Sequence, residues 1–272
     1  MEIATRTIRL TLSYDGTEFC GWQVQPGRPT VQQTLTEAVA QVLGETVVIH
    51  ASGRTDAGVH ALGQVAHLRI QARLPVENLQ KALNTVLPRS IRVMDAQLAP
   101  AGFHARRSAL AKLYRYRLYR APVCPPFLRN FVYHYPYRLD EPVMMAAARL
   151  FEGEHDFTSF AATPERRRAD LDDPAERLAA TLGQRGAVRR IFRSELERQG
   201  DELVYEVCGD GFLHHMVRNL LGFLMEIGHG KRRMEEIPEV LAARQRARAG
   251  RTAPACGLYL VRVDYPEVVP ER

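Results

Sequence analysis

Asp56 lies in the stretch Ser52-Gly53-Arg54-Thr55-Asp56-Ala57-Gly58-Val59-His60, two residues after an arginine and two before a glycine. A D-x-G step is ordinary turn chemistry, because an Asp side chain bonds its own backbone and glycine accepts a positive φ. Arg54 adds a second meaning. A guanidinium within reach favours the ionised carboxylate and lowers its pKa, as a nucleophilic or basic Asp requires. No Ser–His pattern and no glycine-rich phosphate loop accompanies it, so such an acid would act by itself. On the residues alone, turn former and reactive carboxylate are both open.

Other groups could recognise a polyanion. In Leu113-Tyr114-Arg115-Tyr116-Arg117 a period of two puts Tyr114, Tyr116 and Leu118 on one face, and Arg115 and Arg117 on the other. That is either a half-buried strand or an aromatic face for stacking a base, backed by arginines for phosphate. Phe103-His104-Ala105-Arg106-Arg107 reads as a solvated basic connection or as an RNA-backbone contact. Arg166-Arg167-Arg168 and Arg189-Arg190 are further basic clusters with the same two readings. His214 and His215 precede Arg218 on a mostly apolar helix. Adjacent helical positions diverge by roughly 100°, which suits packing or RNA-facing histidines better than a ligand pair. Arg218, among Phe212, Met216, Val217 and Leu221, needs a carboxylate to be buried there, and Asp56 is a candidate.

The bulk properties fit these groups. The chain has 272 residues, enough for one large domain or two ordinary ones, with 46% hydrophobic and 25% charged residues. Its formal charge is +6, and of 37 basic residues only Lys81, Lys112 and Lys231 are lysines, which leaves 34 arginines. Arginine binds phosphate bidentately and stacks on bases, although an arginine-favouring genome gives the same skew. Cys20, Cys124, Cys208 and Cys256 are far apart, with no C-x-x-C pair, and the nine histidines show no metal-binding spacing. This argues against zinc and thiol-redox chemistry and fits a reducing cytoplasm. The start, MEIATRTIRL, lacks a signal-peptide run, and the apolar stretch Leu220–Ile227 is too short for a bilayer.

Two passes of one plan must position the chemistry. TIRLTLSYDG alternates as a strand into a D-G turn, and Thr30 with Gln33 resembles a capping box before the helical stripe Val31, Leu35, Val39 and Val42, which stops at Gly44. TVVIHAS and Gln64–Ile70 read as strands joined by the Asp56 turn. Leu79, Leu83 and Val86 mark a second helix ended by Pro88, and IRVMDAQL is a fourth strand. From about Ala111 the plan restarts with AKLYRYRLYR and the short aromatic segment FVYHYPY. A helix capped by Asp140 follows, carrying Val143, Ala147 and Leu150 and ending near Gly153. Next comes a hairpin over Val188–Asp210 turning at Gln199-Gly200-Asp201, then the stripe Leu213, Val217, Leu220, Leu224 and Ile227, and a last strand in GLYLVRVDYP. Thr163–Gly186, rich in Arg, Asp and Pro, reads as a solvated loop with a helical turn at Pro174–Ala180. The fold class expected is α+β, with two ferredoxin-like β-α-β-β-α-β units whose mainly antiparallel sheets meet around a central cleft. The division falls at residues 1–106 and 107–272.

Five motifs occur in an order that resembles the tRNA pseudouridine synthase A family: G-R-T-D-A-G-V-H-A at Gly53–Ala61, F-H-A-R at Phe103–Arg106, Y-R-Y at Tyr114–Tyr116, F-L-H-H-M-V-R-N at Phe212–Asn219 and G-L-Y-L at Gly257–Leu260. The resemblance runs from Ile8 to Pro266; the Thr163–Gly186 loop is larger than the family needs. It implies a pseudouridine synthase fold and an isomerase that converts uridine to pseudouridine in the anticodon stem-loop, at tRNA positions 38, 39 and 40. It further implies Asp56 as nucleophile, Tyr114 against the flipped uridine and assisting removal of its C5 proton, Arg218 paired with Asp56, and Leu258 packed on the uracil. RNA contacts would come from Arg54, which would also help displace the target base, from Phe103, His104, Ala105, Arg106 and Arg107, and from Arg166, Arg167, Arg168 and Arg189. The implied partners are tRNA and a second copy in a homodimer, with no metal, no organic cofactor and no membrane. Two rival readings remain at this stage. One is a non-catalytic RNA-binding protein using Tyr114 and Tyr116 as platforms; the other is a phosphoesterase built on His214 and His215.

Overall fold

The structure, a computed structural model, describes residues 5–100, 102–162 and 186–266. Arg166, Arg167, Arg168 and the turn expected at Pro174–Ala180 lie outside the described residues. The protein is α+β with mainly antiparallel pairing, and it divides into two compact units that interleave along the chain. The first comprises Met1–Pro136, Gln199–Val204 and Pro254–Arg272; the second comprises Tyr137–Arg198 and Tyr205–Ala253.

The first unit contains β1 (Arg6–Tyr14), α1 (Val31–Leu43), β2 (His50–Ala51), β3 (His60–Ile70), α2 (Val76–Val86), β4 (Ile91–Leu98), β5 (Ala111–Tyr119), β6 (Tyr133–His134) and β10 (Leu258–Asp264). The strand order is β4-β1-β3-β10-β5, with β2 beside β3 and β6 beside β5. Thus β5, beyond the expected division at 106, is joined through β10 to the N-terminal strands. β1 alternates as its sequence requires, with Ile8, Leu10, Leu12 and Tyr14 buried. At α1, Thr30 Oγ1 accepts from the Gln33 N–H at 3.4 Å, but the Gln33 side chain turns to Glu37, so only half of a capping box forms.

TVVIHAS is shorter as a strand than expected. Val47 and Ile49 are buried and Val48 is exposed, yet only His50 and Ala51 pair, opposite His67 and Ala66. Ahead of them the Glu45 carboxylate accepts the N–H groups of Gln71 and Ala72 at 2.9 and 2.6 Å, so a side chain stands where ladder partners would have been. β3 therefore meets β2 at Ala66 and His67, and meets β10, in parallel, at His60 and Ala61. The Ser52–Val59 connection leaves the sheet where one neighbour is exchanged for the other.

The second unit contains α3 (Glu141–Arg149), β7 (Gly153–Asp156), β8 (Val188–Gln199), β9 (Glu202–Gly209), α4 (Met216–Gly228) and α5 (Glu236–Ala243). The hairpin tip Gln199–Val204 is counted with the first unit. Asp140 caps α3, its Oδ1 accepting from Val143 N–H at 3.2 Å. Gly200 turns the β8–β9 hairpin with φ +58°, at the expected place. β7, α5 and the 3₁₀ turn Arg246–Ala249 were not legible in the sequence. His214 and His215 precede α4 rather than riding on it; His215 takes φ 61° at the N-cap, and the two rings stand 4.0 Å apart.

α4 is buried along most of its length, and its fully buried Asn219 is a hub. Asn219 Nδ2 donates to Phe160 O at 2.7 Å, while its Oδ1 accepts from Thr252 Oγ1 at 2.6 Å and from Arg246 at 3.0 Å. Asn219→Ala takes these bonds from the Phe160 carbonyl and the Thr252 hydroxyl, while Arg246 keeps Thr252 Oγ1 and Gly250 O. A loss of about 2–4 kcal/mol is expected, one to two buried partners at roughly 1–3 kcal/mol each. Urea unfolding measures it, and a change under about 0.5 kcal/mol would refute the hub.

Candidate active site

The site in the first unit starts from the Asp56 turn. The Asp56 carbonyl accepts the Val59 N–H at 3.1 Å, and Gly58 takes φ +76° at the third position, so the turn anticipated from D-A-G forms. Arg54 and Ala57 are exposed, Asp56 is half-buried and Thr55 is buried.

This exposed-looking loop is held from three sides. From the β1–α1 connection, Trp22 N–H donates to Thr55 O at 3.0 Å, and Gly58 N–H donates to Phe19 O at 3.2 Å. That approach requires Gly21, at φ +92°, where a Cβ would stand 2.6 Å from the Thr55 carbonyl oxygen. From β3, the fully buried Gln64 clasps the near end of the loop. Its Oε1 accepts from Ser52 Oγ at 2.7 Å, and its Nε2 donates to Gly53 O at 2.8 Å and to Tyr14 Oη at 3.4 Å. Tyr14 Oη also shares a hydrogen bond with Thr55 Oγ1 at 2.8 Å. From β5, Lys112 Nζ donates to Ser52 O at 2.6 Å. Just past the loop, His60 Nδ1 accepts from Gly16 N–H at 3.1 Å, so its proton sits on Nε2, within 2.9 Å of Asn130 O. Burial pushes the His60 pKa down, against the pull of Asp15, and keeps that ring neutral.

The loop belongs to the same face of the sheet as Tyr114. Tyr14 pairs with Ala61, Ala61 with Leu260 and Leu260 with Tyr114, so one row crosses β1, β3, β10 and β5. Leu258 pairs with Tyr116 in the adjoining row. All six side chains are buried and form an apolar floor with three phenols, Tyr14 and Tyr114 at the ends of the first row and Tyr116 in the second. Burial raises the Tyr114 pKa first, and the charges of Tyr14 and then Asp56 raise it further. Burial likewise pushes Tyr14 up to about 12, against its bonds to Thr55 and Gln64. Both hydroxyls are therefore protonated at neutral pH, and Asp56 bears electrostatically on Tyr114. The arrangement offers a carboxylate on a rigid turn, a neutral phenol and a hydrocarbon surface, which suits covalent work on a flat, polar-edged ring.

The predicted site residues fall into groups. Asp56, Tyr114 and Leu258 share this face of the first unit, with Arg54 on the same turn. The opposite face of β5 carries Arg115 and Arg117, and Arg117 meets Glu202 through Nε at 2.7 Å and a second nitrogen at 2.5 Å. That arginine answers a carboxylate of its own chain, whereas the sequence reading had it backing a phosphate site. In F-H-A-R-R, His104 and Ala105 are buried, Phe103 is half-buried against Tyr265 and His67, and Arg106 and Arg107 are exposed. Arg218 and Arg189 belong to the second unit. There Arg218 Nε donates to Ala253 O at 2.7 Å, and Arg189 is half-buried on β8. Sequence reasoning missed Tyr14, Thr55, Gln64 and Lys112. The available signals were a glutamine at a core-facing strand position and a lysine in a chain that otherwise uses arginine. It also passed over the exposed Arg244, Arg248 and Arg251 near α5.

A relative from Solibacter usitatus (strain Ellin6076), named tRNA pseudouridine synthase A, is 48% identical over 261 residues, covering 96% of this chain and 100% of its own. Relatives of the same name from Geobacillus sp. (strain WCH70) and Halalkalibacterium halodurans are 44% and 43% identical, covering 96% and 93% of this chain and 99% and 90% of theirs. Residues 11–106 and 147–266 match the family described as tRNA pseudouridine synthase. The two matched segments take in Asp56, Leu258 and the loop supports Tyr14, Thr55 and Gln64, and with relatives this similar along nearly the whole length, the chain belongs to the tRNA pseudouridine synthase family.

Proposed function

We propose that this isomerase converts uridine to pseudouridine in the anticodon stem-loop of tRNA, at positions 38, 39 and 40, with Asp56 as the nucleophile. The observation that carries the reading is a half-buried carboxylate on a turn tied down from three strands and connections, beside the buried row that includes Tyr114. The reaction breaks N1–C1′, turns the uracil and joins C5 to C1′; the C5 proton leaves and N1 gains one. Nothing is oxidised, so the balance calls for no redox carrier. The carboxylate acts at C6 of the base or at C1′ of the sugar, and both routes need it ionised and aimed. The base must first leave its stack, at a cost of a few kcal/mol that cationic contacts to phosphate offset. The detached uracil must then be retained, which an apolar contact from Leu258 favours.

In this reading Arg54, Arg106, Arg107 and Arg189 contact the RNA, Phe103, His104 and Ala105 support them, and Arg166, Arg167 and Arg168 add charge. Tyr114 meets the flipped base as a neutral donor and wall, since its raised pKa makes the phenolate scarce at the outset. A homodimer with one tRNA across both subunits, a cytoplasmic location and ferredoxin-like units belong to the same proposal. For the units, the order β4-β1-β3 with β2 beside β3 is the supporting feature.

Asp56→Asn is expected to bind unmodified tRNA within about threefold of wild type while product formation falls by at least about 10³-fold. Tritium release from C5-labelled uridine is the assay, and substantial release from the variant removes the assignment. Arg218 is proposed as the counter-charge of Asp56. Arg218→Met should move the acid limb of the pH–rate profile upward by about one unit or more, because loss of a nearby cation disfavours the carboxylate; an unmoved limb rejects the pair. Gln64→Leu releases the near end of the loop, so kcat should fall about tenfold or more while KM for tRNA changes little. A variant that loses affinity and keeps kcat would show that the clasp does not aim Asp56.

A further inference from the structure

His67 and His104 hold the F-H-A-R-R turn through ring nitrogens that must be unprotonated. Between His104 and Ser108 every backbone N–H has a partner. His104 N–H donates to Ser108 Oγ at 3.1 Å, and Ser108 N–H donates back to His104 O at 2.9 Å. Ala105 N–H donates to His67 Nδ1 at 3.2 Å, and Arg106 and Arg107 N–H both donate to His104 Nδ1 at 3.1 and 3.3 Å. Three of the five bonds thus end on imidazole. His104 stands where Asp, Asn or Ser usually caps a helical turn, and unlike those residues it loses its acceptor on taking a proton.

The surroundings resist that proton. Facing His67 are His50 from β2 with ring centroids at 5.1 Å, His104 from the turn at 4.7 Å, Arg69 on the same strand and Arg9 opposite in register on β1. His50 also lies 5.5 Å from His104. Tyr265, over which Arg9 sits at 5.8 Å, donates to Ala105 O at 2.6 Å. Burial, then His104 and His50, push the His67 pKa down to about 4.

We propose that His67 and His104 are positioning residues for RNA recognition, which as neutral imidazoles fix the turn that presents Arg106 and Arg107, so that tRNA affinity falls on acidification. The proposal rests on the reading that Arg106 and Arg107 contact RNA. The sign follows from linkage. A histidine whose pKa is depressed in the ordered turn and ordinary in the released one stabilises the ordered form fully above about 6.5, and this is lost as pH falls from 6.5 toward 4. By pH 5.5 one such imidazole weakens the ordered turn by up to about tenfold. Ordinary electrostatics has the opposite sign, because protonated histidines on a phosphate-binding surface strengthen binding as pH drops.

Filter binding of an unmodified tRNA transcript at constant ionic strength, from pH 7.5 to 5.5, separates the two. The wild-type protein should lose affinity at least about threefold across that window, with an unchanged circular dichroism spectrum. His67→Asn with His104→Asn, whose side-chain oxygens can accept the same three N–H groups and do not titrate, should bind as wild type at pH 7.5 and show a flattened profile. Arg106→Ala with Arg107→Ala should bind weakly at every pH with no trend. An affinity that is constant or rises on acidification overturns the proposal, as does a wild-type slope retained in the double asparagine variant, or global unfolding within the window. If wild-type protein at pH 7.5 neither binds nor isomerises the transcript, the functional reading itself has failed. If it does both without the pH trend, only the role of the two histidines is lost.

Discussion

The clasp made by Gln64 is the contact on which the rest of this site depends. A reactive carboxylate has to be half exposed to reach a substrate, and half-exposed turns are ordinarily among the least fixed parts of a protein. Here a buried amide bonds Ser52 and Gly53 at the near end of the loop and Tyr14 beside it, Tyr14 shares a hydrogen bond with Thr55, and Lys112 ties down Ser52 from another strand. Inside a protein such a network is strong only when complete, since one missing partner leaves buried groups unsatisfied. The loop is rigid for the same reason that it is vulnerable.

The floor obeys a different logic. Ala61, Leu260, Leu258 and Tyr116 present hydrocarbon and aromatic surface from three strands, and their alignment comes from sheet register alone. Register fixes which face each side chain occupies, because a one-residue slip would move the whole set to the other side. The same alternation sends Arg115 and Arg117 to the opposite face, where Arg117 engages Glu202. One strand thus presents buried apolar side chains on one side and charge on the other.

Much of this was legible in the sequence because it is local. The alternation of β1 and β5, the caps at Thr30 and Asp140, the hairpin turn at Gly200 and the Asp56 turn are set by neighbours within a few residues. The long strand expected at Thr46–Ser52 failed because Glu45 satisfies Gln71 and Ala72 from a distance in sequence. F-H-A-R-R was read as a contact surface or a solvated connection, yet His104 and Ala105 are core residues. Nothing local reveals that His67 reaches across to receive Ala105. The grouping of β5 and β10 with the N-terminal strands was equally hidden, since periodicity reports faces and not neighbours.

β10 has a temporal meaning as well as a spatial one. It enters the first unit beside His60 and Ala61, at the seam where β2 gives way, and contributes Leu258 and Leu260 to the floor. These residues are made long after the carboxylate they accompany. During synthesis the Asp56 loop and the first four strands leave the ribosome without their hydrophobic companion, so the carboxylate is made well before Leu258 and Leu260 can join its sheet. Contacts of such long reach are slow to form, because closing the intervening chain precedes any reward from pairing. The sheet of the first unit is therefore completed late, when β10 inserts between β3 and β5.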